Sequence, residues 1–332
     1  MGKINYLDIH PSKYKLLLKR MLLTSLADVH SKSSAQEKSS YCPVCHDKEI
    51  SHYEIKNGFE LDKCKHCGHV FCNPMPTIEQ LEAYYNGEMK LLENQIFTDT
   101  FEKRIPIFDA RVEKIKQYME KGKLLDVGSA VGIFVESLVR NQNSLSISCC
   151  DPSTDACSSL NKRFGDNPSI NIYNCWLHEM PAENKFDGIS LWDTLEHITD
   201  LSPFCEKIFE LLKPGGYWFF STPNLNSLEW SIAGRDHEQL VPPGHVNLFN
   251  KNNILILLKT FGFELIEITT PNGSMDVGYI EKLAHGSSDY DLKLGTFIKE
   301  NLSDPNFKSA LSDAITHANL GGNMFVIARK PT

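Results

Sequence analysis

The sequence contains no stretch approaching the ~18 uninterrupted apolar residues of a transmembrane helix. A spanning segment is therefore excluded as the source of the fold. It also has no signal-like apolar run near its start, because Leu16-Leu17-Leu18 and Met21-Leu22-Leu23 are split by Lys19 and Arg20, and a reducing, cytoplasmic location is expected. Myristoylation is not expected either, since Tyr6 stands where Ser or Thr is preferred. Positive charge is in short supply. Lys and Arg number 34 against 42 Asp and Glu, a formal charge of −8 over 332 residues, so the chain as a whole exerts no pull on a phosphate backbone and a nucleic-acid partner is disfavoured. With 41% apolar and 23% charged residues, the composition excludes disorder and suits one large α/β domain with a smaller appendage.

The charge that is present is uneven. Residues 1–40 hold seven Lys or Arg and three acids, a net +4 that leaves −12 for the remainder. Leu16, Leu17, Met21, Leu22 and Leu26 fall on one stripe at helical spacing, which predicts a basic amphipathic helix over 12–29 and a polar linker over 31–40. Such a helix packs on the body or on a second subunit, or makes a peripheral membrane contact.

Four of the ten cysteines form a regular pattern. Cys42-Pro43-Val44-Cys45 and Cys64-Lys65-His66-Cys67 are two Cys-x2-Cys hooks with 18 residues between them. Each hook points two thiolates at one spot, and Gly68 after the second permits the tight turn's backbone angle. Between them, strand-like Ser51–Lys56 and Phe59–Lys63 flank Asn57-Gly58, a strong hairpin signal. A zinc ribbon over 41–73 is expected, with Cys42, Cys45, Cys64 and Cys67 as ligands and His46, His66, His69 and Cys72 near enough to replace one. Four thiolates leave no coordination position for water, so Zn2+ here would be structural. Over 74–120 a helical bridge follows, with helices at 78–86 and 98–119, the first opened by a Thr77/Gln80 capping pair. Tyr84 and Tyr85 on it are expected to serve helix packing, with proximity to a cofactor as the alternative.

From 121 to 332, strand and helix signals alternate. Strands are predicted at Lys123–Val127, Ser144–Cys150, Ile170–Tyr173, Phe186–Trp192 and Tyr217–Ser221. Helices fall between them at Ile133–Arg140, Thr154–Arg163 and Leu201–Leu212, and another follows at Lys251–Phe261. The alternation predicts an α/β fold with a doubly wound, Rossmann-like parallel sheet, whose ligands bind at the carboxyl ends of the strands. After the first strand comes Leu125-Asp126-Val127-Gly128-Ser129-Ala130-Val131-Gly132. Its glycines allow close approach of a ligand, while Asp126 would repel a pyrophosphate and suits a cationic amino group. Asp151 ends the second strand 23 residues past Gly128, where an acid accepts hydrogen bonds from ribose hydroxyls. The combination describes a site for a nucleoside carrying an amino acid, as S-adenosyl-L-methionine does.

At this point the sequence resembles the class I S-adenosylmethionine-dependent methyltransferases, and among them a bacterial small-molecule and sugar methyltransferase group with an N-terminal four-cysteine segment. The residues that carry the resemblance are the glycine-rich turn, Cys150-Asp151-Pro152-Ser153, Phe186-Asp187-Gly188-Ile189, Trp192-Asp193-Thr194-Leu195-Glu196-His197, Leu212-Lys213-Pro214-Gly215-Gly216, Ser221-Thr222-Pro223-Asn224 and Gly244-His245-Val246-Asn247-Leu248-Phe249. It implies a seven-stranded sheet whose last strand, Asn323–Arg329, is antiparallel and preceded by Phe263–Thr269. It further implies that Asp126, Gly128 and Gly132 border the methionine part of the cofactor, that Asp151 holds the ribose, and that Trp176 and Leu177 flank the adenine. Trp192 and Asp193 would close the site. Ala130 replaces a glycine usual in the family.

Methyl transfer to an alcohol needs alignment and removal of the acceptor's proton, work suited to a histidine. The resemblance implies a substrate-covering insert at about 224–250 with His245 as general base, and His197 as the second candidate. Gly244 stands where sugar C-methylating relatives have a glutamate, which points to O-methylation, with N-methylation as the alternative, of a sugar, glycan or other small polar acceptor. A second reading is an RNA methyltransferase using the ribbon as a grip. It is opposed by the −12 balance and by Leu191-Trp192-Asp193-Thr194, which is no amine-methylating motif. A third is a binding module that has lost activity, opposed by retention of both acids. Cys72, Cys149, Cys150, Cys157, Cys175 and Cys205 show no shared role.

Overall fold

The computed structural model describes residues 6–141, 144–271, 273–286 and 300–332. A short helix α1 (Tyr6–Ile9) precedes α2 (Lys15–Ser31). The buried stripe of α2 includes the expected Met21, Leu22 and Leu26 but not Leu16 and Leu17. Ser25, Leu26 and Val29 are buried with Leu18, Met21 and Leu22 partly covered, whereas Leu16 and Leu17 point outward. The inner face is set by what it meets: the bridge residues Tyr84 and Met89 and the ribbon's Phe59 and Leu61, which share one apolar cluster with it.

The ribbon hairpin joins β1 (Ile50–Lys56) to β2 (Phe59–Cys64). Asn57 (φ 52°) and Gly58 (φ 81°) are both left-handed, the turn whose twist matches antiparallel strands. On β2 lies β3 (Val70–Cys72), and beyond β3 lies a fourth strand contributed from far along the chain, Asn247–Leu248. The bridge starts with α3 (Ile78–Tyr85), where Thr77 Oγ1 accepts from the Gln80 N–H at 3.1 Å and Gln80 Oε1 accepts from the Thr77 N–H at 3.0 Å. The helix expected at 98–119 is α5 (Phe101–Lys116), and a further helix not expected from sequence, α4 (Glu88–Asp99), precedes it. They meet at Thr100, whose hydroxyl donates to the Ile96 carbonyl at 2.7 Å and accepts from Arg104 Nε at 2.8 Å, the local bonding that makes threonine a helix punctuator.

The large sheet contains β4 (Lys121–Val127), β5 (Ser144–Cys150), β6 (Ile170–Tyr173), β7 (Phe186–Trp192), β8 (Leu212–Pro223), β10 (Glu264–Thr269) and β11 (Asn323–Arg329), with Asn247–Leu248 counted as β9. Its order is β10-β11-β8-β7-β4-β5-β6. β4 to β8 run parallel and β11 runs antiparallel to both its neighbours. Strand β8 begins earlier than expected, because the backbone at Gly215 and Gly216 exchanges hydrogen bonds of 2.9 Å with Lys330. One face is covered by α5, α6 (Ile133–Arg140) and α7 (Thr154–Phe164) through Val112, Ile115, Leu138 and Leu160. The other is covered by α8 (Leu201–Leu211) and α10 (Lys251–Thr260), whose Ile208, Leu257 and Leu258 share a core with ribbon residue Val44. Helix α9 (Leu228–Ala233) lies in the insert after β8, and the β10–β11 connection carries α11 (Gly273–Gly286) and α12 (Pro305–His317), neither expected from sequence. Val277, Ile280 and Ile315 bring this connection against Leu228 and Ile232 of α9. Among the described residues, no helix is long and apolar enough to cross a membrane.

Candidate active site

The carboxyl ends of β4, β5, β6 and β7 bring most of the expected cofactor residues to one edge. Asp126 is 1% exposed. Its carboxylate accepts from Ser190 Oγ on β7 at 2.8 Å, and burial pushes its pKa up to about 7. The turn after β4 takes left-handed angles at Gly128 (φ 73°), Ala130 (φ 46°) and Gly132 (φ 81°). A Cβ at Gly132 would lie 2.7 Å from Leu160 and 2.9 Å from Phe164, so that glycine also serves the approach of α6 to α7. Ala130 donates its N–H to Asp151 Oδ2 at 2.9 Å, and Ser153 donates to Asp151 Oδ1 at 2.8 Å. Asp151 is thereby anchored at the end of β5, with its pKa raised chiefly by burial. Beyond β6, Leu177 is buried in the core while Trp176 is 60% exposed. Core packing does not account for that tryptophan.

After β7, Asp193 adopts φ 50° and is held there from several sides. Oδ1 accepts from Asn323 Nδ2 at 2.6 Å and from Ser221 Oγ at 2.9 Å, and Arg111 Nη2 lies 3.5 Å from Oδ2. Trp192 packs between Phe134 and Phe325. Arg111 and Asn323 were not singled out from sequence. Arg111 comes from α5, stacks 4.6 Å from both Phe108 and Trp192, and is buried together with an unpartnered Nη1. Burial lowers its pKa, against the pull of Asp193. Its only sequence signal is an arginine on the inward stripe of a helix, between Phe108 and Val112.

A second group of side chains comes from outside the sheet. His245, in the insert, sits with its ring 4.7 Å from that of His197 at 82°. A carbonyl can only accept, so the 2.9 Å contact of His245 Nδ1 with the Gln239 carbonyl places a proton on Nδ1. Burial lowers the His245 pKa to about 4, so at neutral pH Nε2 carries a lone pair. His197 Nδ1 likewise donates to the Gly244 carbonyl at 2.6 Å, and burial lowers its pKa too. Tyr85 Oη lies 3.0 Å from that nitrogen and donates toward the same carbonyl at 3.5 Å. Tyr85 therefore joins this group, although helix packing was its expected role. Tyr84 fills the space beside Gly244, where a Cβ would lie 2.6 Å from its hydroxyl. Glu196 is buried, with Oε2 accepting from Thr222 Oγ1 at 3.0 Å and Oε1 unpartnered; burial holds its pKa well above the usual range.

The four ribbon cysteines converge, with one sulfur from each lying within 4.8 Å of the others. Cys42 and Cys67 Sγ are 3.6 Å apart, and Cys45 and Cys64 Sγ 3.5 Å, near the ~3.8 Å between sulfurs of a tetrahedral site with 2.3 Å zinc–sulfur bonds. The hooks repeat one another: the His46 N–H bonds the Cys42 carbonyl at 2.9 Å and the Gly68 N–H bonds the Cys64 carbonyl at 3.0 Å. The first hook thus uses His46 at φ 58° where the second uses Gly68 at φ 74°. His69 is taken up by Asn247 Oδ1 at 3.0 Å and Cys72 by an apolar core, apart from the four sulfurs.

A family profile described as a methyltransferase domain matches residues 102–268, half of the chain. The chain belongs to this methyltransferase family. It is an S-adenosylmethionine-dependent methyltransferase of class I, and the sheet order and antiparallel β11 agree with that fold. It is similar to the "Ubiquinone biosynthesis O-methyltransferase" of Hydrogenovibrio crunogenus, 30% identical over 142 residues that span 40% of this chain and 58% of that one. The protein of the same name from Coxiella burnetii (strain Dugway 5J108-111) is 28% identical over 170 residues, 48% of this chain and 71% of that one. Among solved structures, a SAM-dependent methyltransferase from Archaeoglobus fulgidus aligns with a TM-score of 0.48 at 18% identity, covering 71% of this chain and 98% of that one. The cofactor suits the donor set of this methyltransferase. Arg111 Nη1, Trp192 Nε1 and Glu196 Oε1, three of the nine buried side-chain polar atoms without a partner among the described residues, gather near Asp193, where a bound group would complete them.

Proposed function

We propose that this methyltransferase carries out O-methylation of a sugar, glycan or nucleotide-sugar-like acceptor, with His245 as general base. S-adenosylmethionine supplies an electrophilic methyl group when bound. Asp151 would take the ribose hydroxyls, Trp176 and Leu177 the adenine, and Asp126 with the Gly128–Gly132 turn the methionine part. Arg111 would meet the methionine carboxylate, and Trp192 and Asp193 close the site. The observation that carries the reading is the tautomer of His245: with Nδ1–H spent on the Gln239 carbonyl and the ring kept neutral by burial, Nε2 is free to receive a hydroxyl proton. His197 would orient it. Tyr84 supports oxygen rather than carbon as acceptor, since it takes up the room that the glutamate of C-methylating relatives would need beside Gly244. The similar proteins are O-methyltransferases by name.

The same proposal divides the chain into an N-terminal helix and linker (1–40), a ribbon (41–73), a bridge (74–120) and a methyltransferase domain (121–332) with its insert at about 224–250. Cys42, Cys45, Cys64 and Cys67 would hold a structural Zn2+ that fixes the ribbon. None of the ten cysteines is paired in a disulfide, which suits a reducing, cytoplasmic compartment. The test is release of S-adenosylhomocysteine with a panel of monosaccharides, nucleotide sugars and RNA. Turnover on a hydroxyl of a sugar acceptor is expected. Turnover on RNA alone would contradict the reading and favour the ribbon as an RNA grip.

A further inference from the structure

Six cysteines lie outside the metal cluster, and two of them come together at the cofactor edge. Parallel pairing of β5 with β6 sets Cys150 opposite Tyr173, so Cys175, two residues further on, arrives beside it. Their sulfurs are 3.7 Å apart, and Cys150 Sγ also donates to the Cys175 carbonyl at 3.2 Å. Each thiol immediately precedes a residue assigned above to the cofactor, Cys150 before Asp151 and Cys175 before Trp176.

We propose that Cys150 and Cys175 are a thiol–disulfide modification site through which a peroxide weakens S-adenosylmethionine binding. The effect on binding rests on the assignment of Asp151 and Trp176 to the cofactor; formation of the bond does not. Cys175 is half-buried and Cys150 buried, so hydrogen peroxide meets Cys175 first. The Cys175 thiol takes one oxygen from the peroxide, giving a sulfenic acid and one water. The Cys150 sulfur then attacks that sulfur, the S–S bond forms, and hydroxide leaves with the Cys150 proton as a second water. The peroxide is reduced and both thiols are oxidised. Closing the pair from 3.7 Å to the ~2.0 Å of a disulfide draws the ends of β5 and β6 together. Asp151, tied to the N–H groups of Ala130 and Ser153, must shift against its anchors, and the exposed Trp176 turns with Cys175. A small-molecule dithiol restores the open arrangement by exchange.

The test treats the full-length protein with hydrogen peroxide, maps the 150–175 cross-link by mass spectrometry after alkylation, and titrates S-adenosylhomocysteine by calorimetry. The expected result is a linked peptide and about tenfold weaker binding, reversed by dithiothreitol and absent in Cys175→Ser. Cys150→Ala, a second variant in case the first misfolds, should resist peroxide in the same way. Zinc is assayed in parallel, because ribbon cysteines also oxidise. Affinity lost equally in Cys175→Ser would overturn the proposal, as would failure to form the link or a link that leaves affinity unchanged. If Asp151→Ala in reduced protein leaves affinity intact, it is the cofactor assignment that fails instead, whatever the mass spectrum shows.

Discussion

The two halves of the candidate site are built in different ways. The half proposed for the cofactor lies on the ends of adjacent parallel strands: Gly128, Asp151 and Asp193 come directly after β4, β5 and β7, and Trp176 follows the end of β6 by three residues. The acceptor half has no such register. His245 hangs from an insert whose Asn247–Leu248 completes the ribbon sheet, and the Gly244 carbonyl before it is held by His197 from the β7 loop and Tyr85 from the bridge. Parallel-sheet topology positions the first half. The second depends on three separate pieces of chain meeting, which is where the ribbon enters: Val70 and Phe71 pair with Leu248 and Asn247, and Asn250 and Asn252 reach back to the Gly68 and Cys67 carbonyls at 3.3 Å.

The largest expected effect exploits that dependence. Cys64→Ser, or chelation, should remove the metal and several kcal/mol of ribbon stability, given the ~10–16 kcal/mol of structural zinc binding in small domains. Because β3 and the insert share a sheet, acceptor turnover should be lost while S-adenosylhomocysteine binding, by calorimetry, survives. Retention of zinc and stability would remove the ribbon from the account. Next, His245→Ala should lower kcat by about 10²–10⁴ with cofactor affinity unchanged. The wild-type pH profile sharpens this prediction. A base lowered to about 4 by burial is unprotonated throughout the neutral range, so kcat should hold as pH falls through the usual histidine value and decline only on approach to about 4. Tyr85→Phe removes one bond to the Gly244 carbonyl and should cost about tenfold or less in kcat, a milder break of the same half. Smallest is Ala130→Gly in the cofactor half. Relief of a left-handed alanine should raise stability by about 1 kcal/mol or less, read as a small rise in Tm.

What could be read from sequence follows the same division. β5, β6, β7 and β11 have the expected boundaries, since each shows as a short run of strand-forming residues between turns, including the partly exposed edge strand β6. The acids at 126 and 151 stand at predictable offsets. The ribbon hairpin was equally legible, because Asn57-Gly58 and the paired cysteines act locally. Arg111 was missed because an inward arginine on a helix has no period of its own, and Tyr85 because its partner lies 112 residues away. The stripe of α2 was legible at Met21, Leu22 and Leu26 but not at its N-terminal end, since Leu16 and Leu17 are as apolar as the residues that the bridge and ribbon cover. Helices α11 and α12 went unseen because their burial depends on α9 and on each other.

The separation into halves is tested most directly by titrating S-adenosylhomocysteine into wild type, Asp151→Ala and His245→Ala. Loss of about 10- to 100-fold in affinity is expected for Asp151→Ala, which removes charge-assisted bonds worth ~1.5–3 kcal/mol, with wild-type affinity for His245→Ala. Equal weakening by both variants, or unchanged binding in Asp151→Ala, would contradict the account.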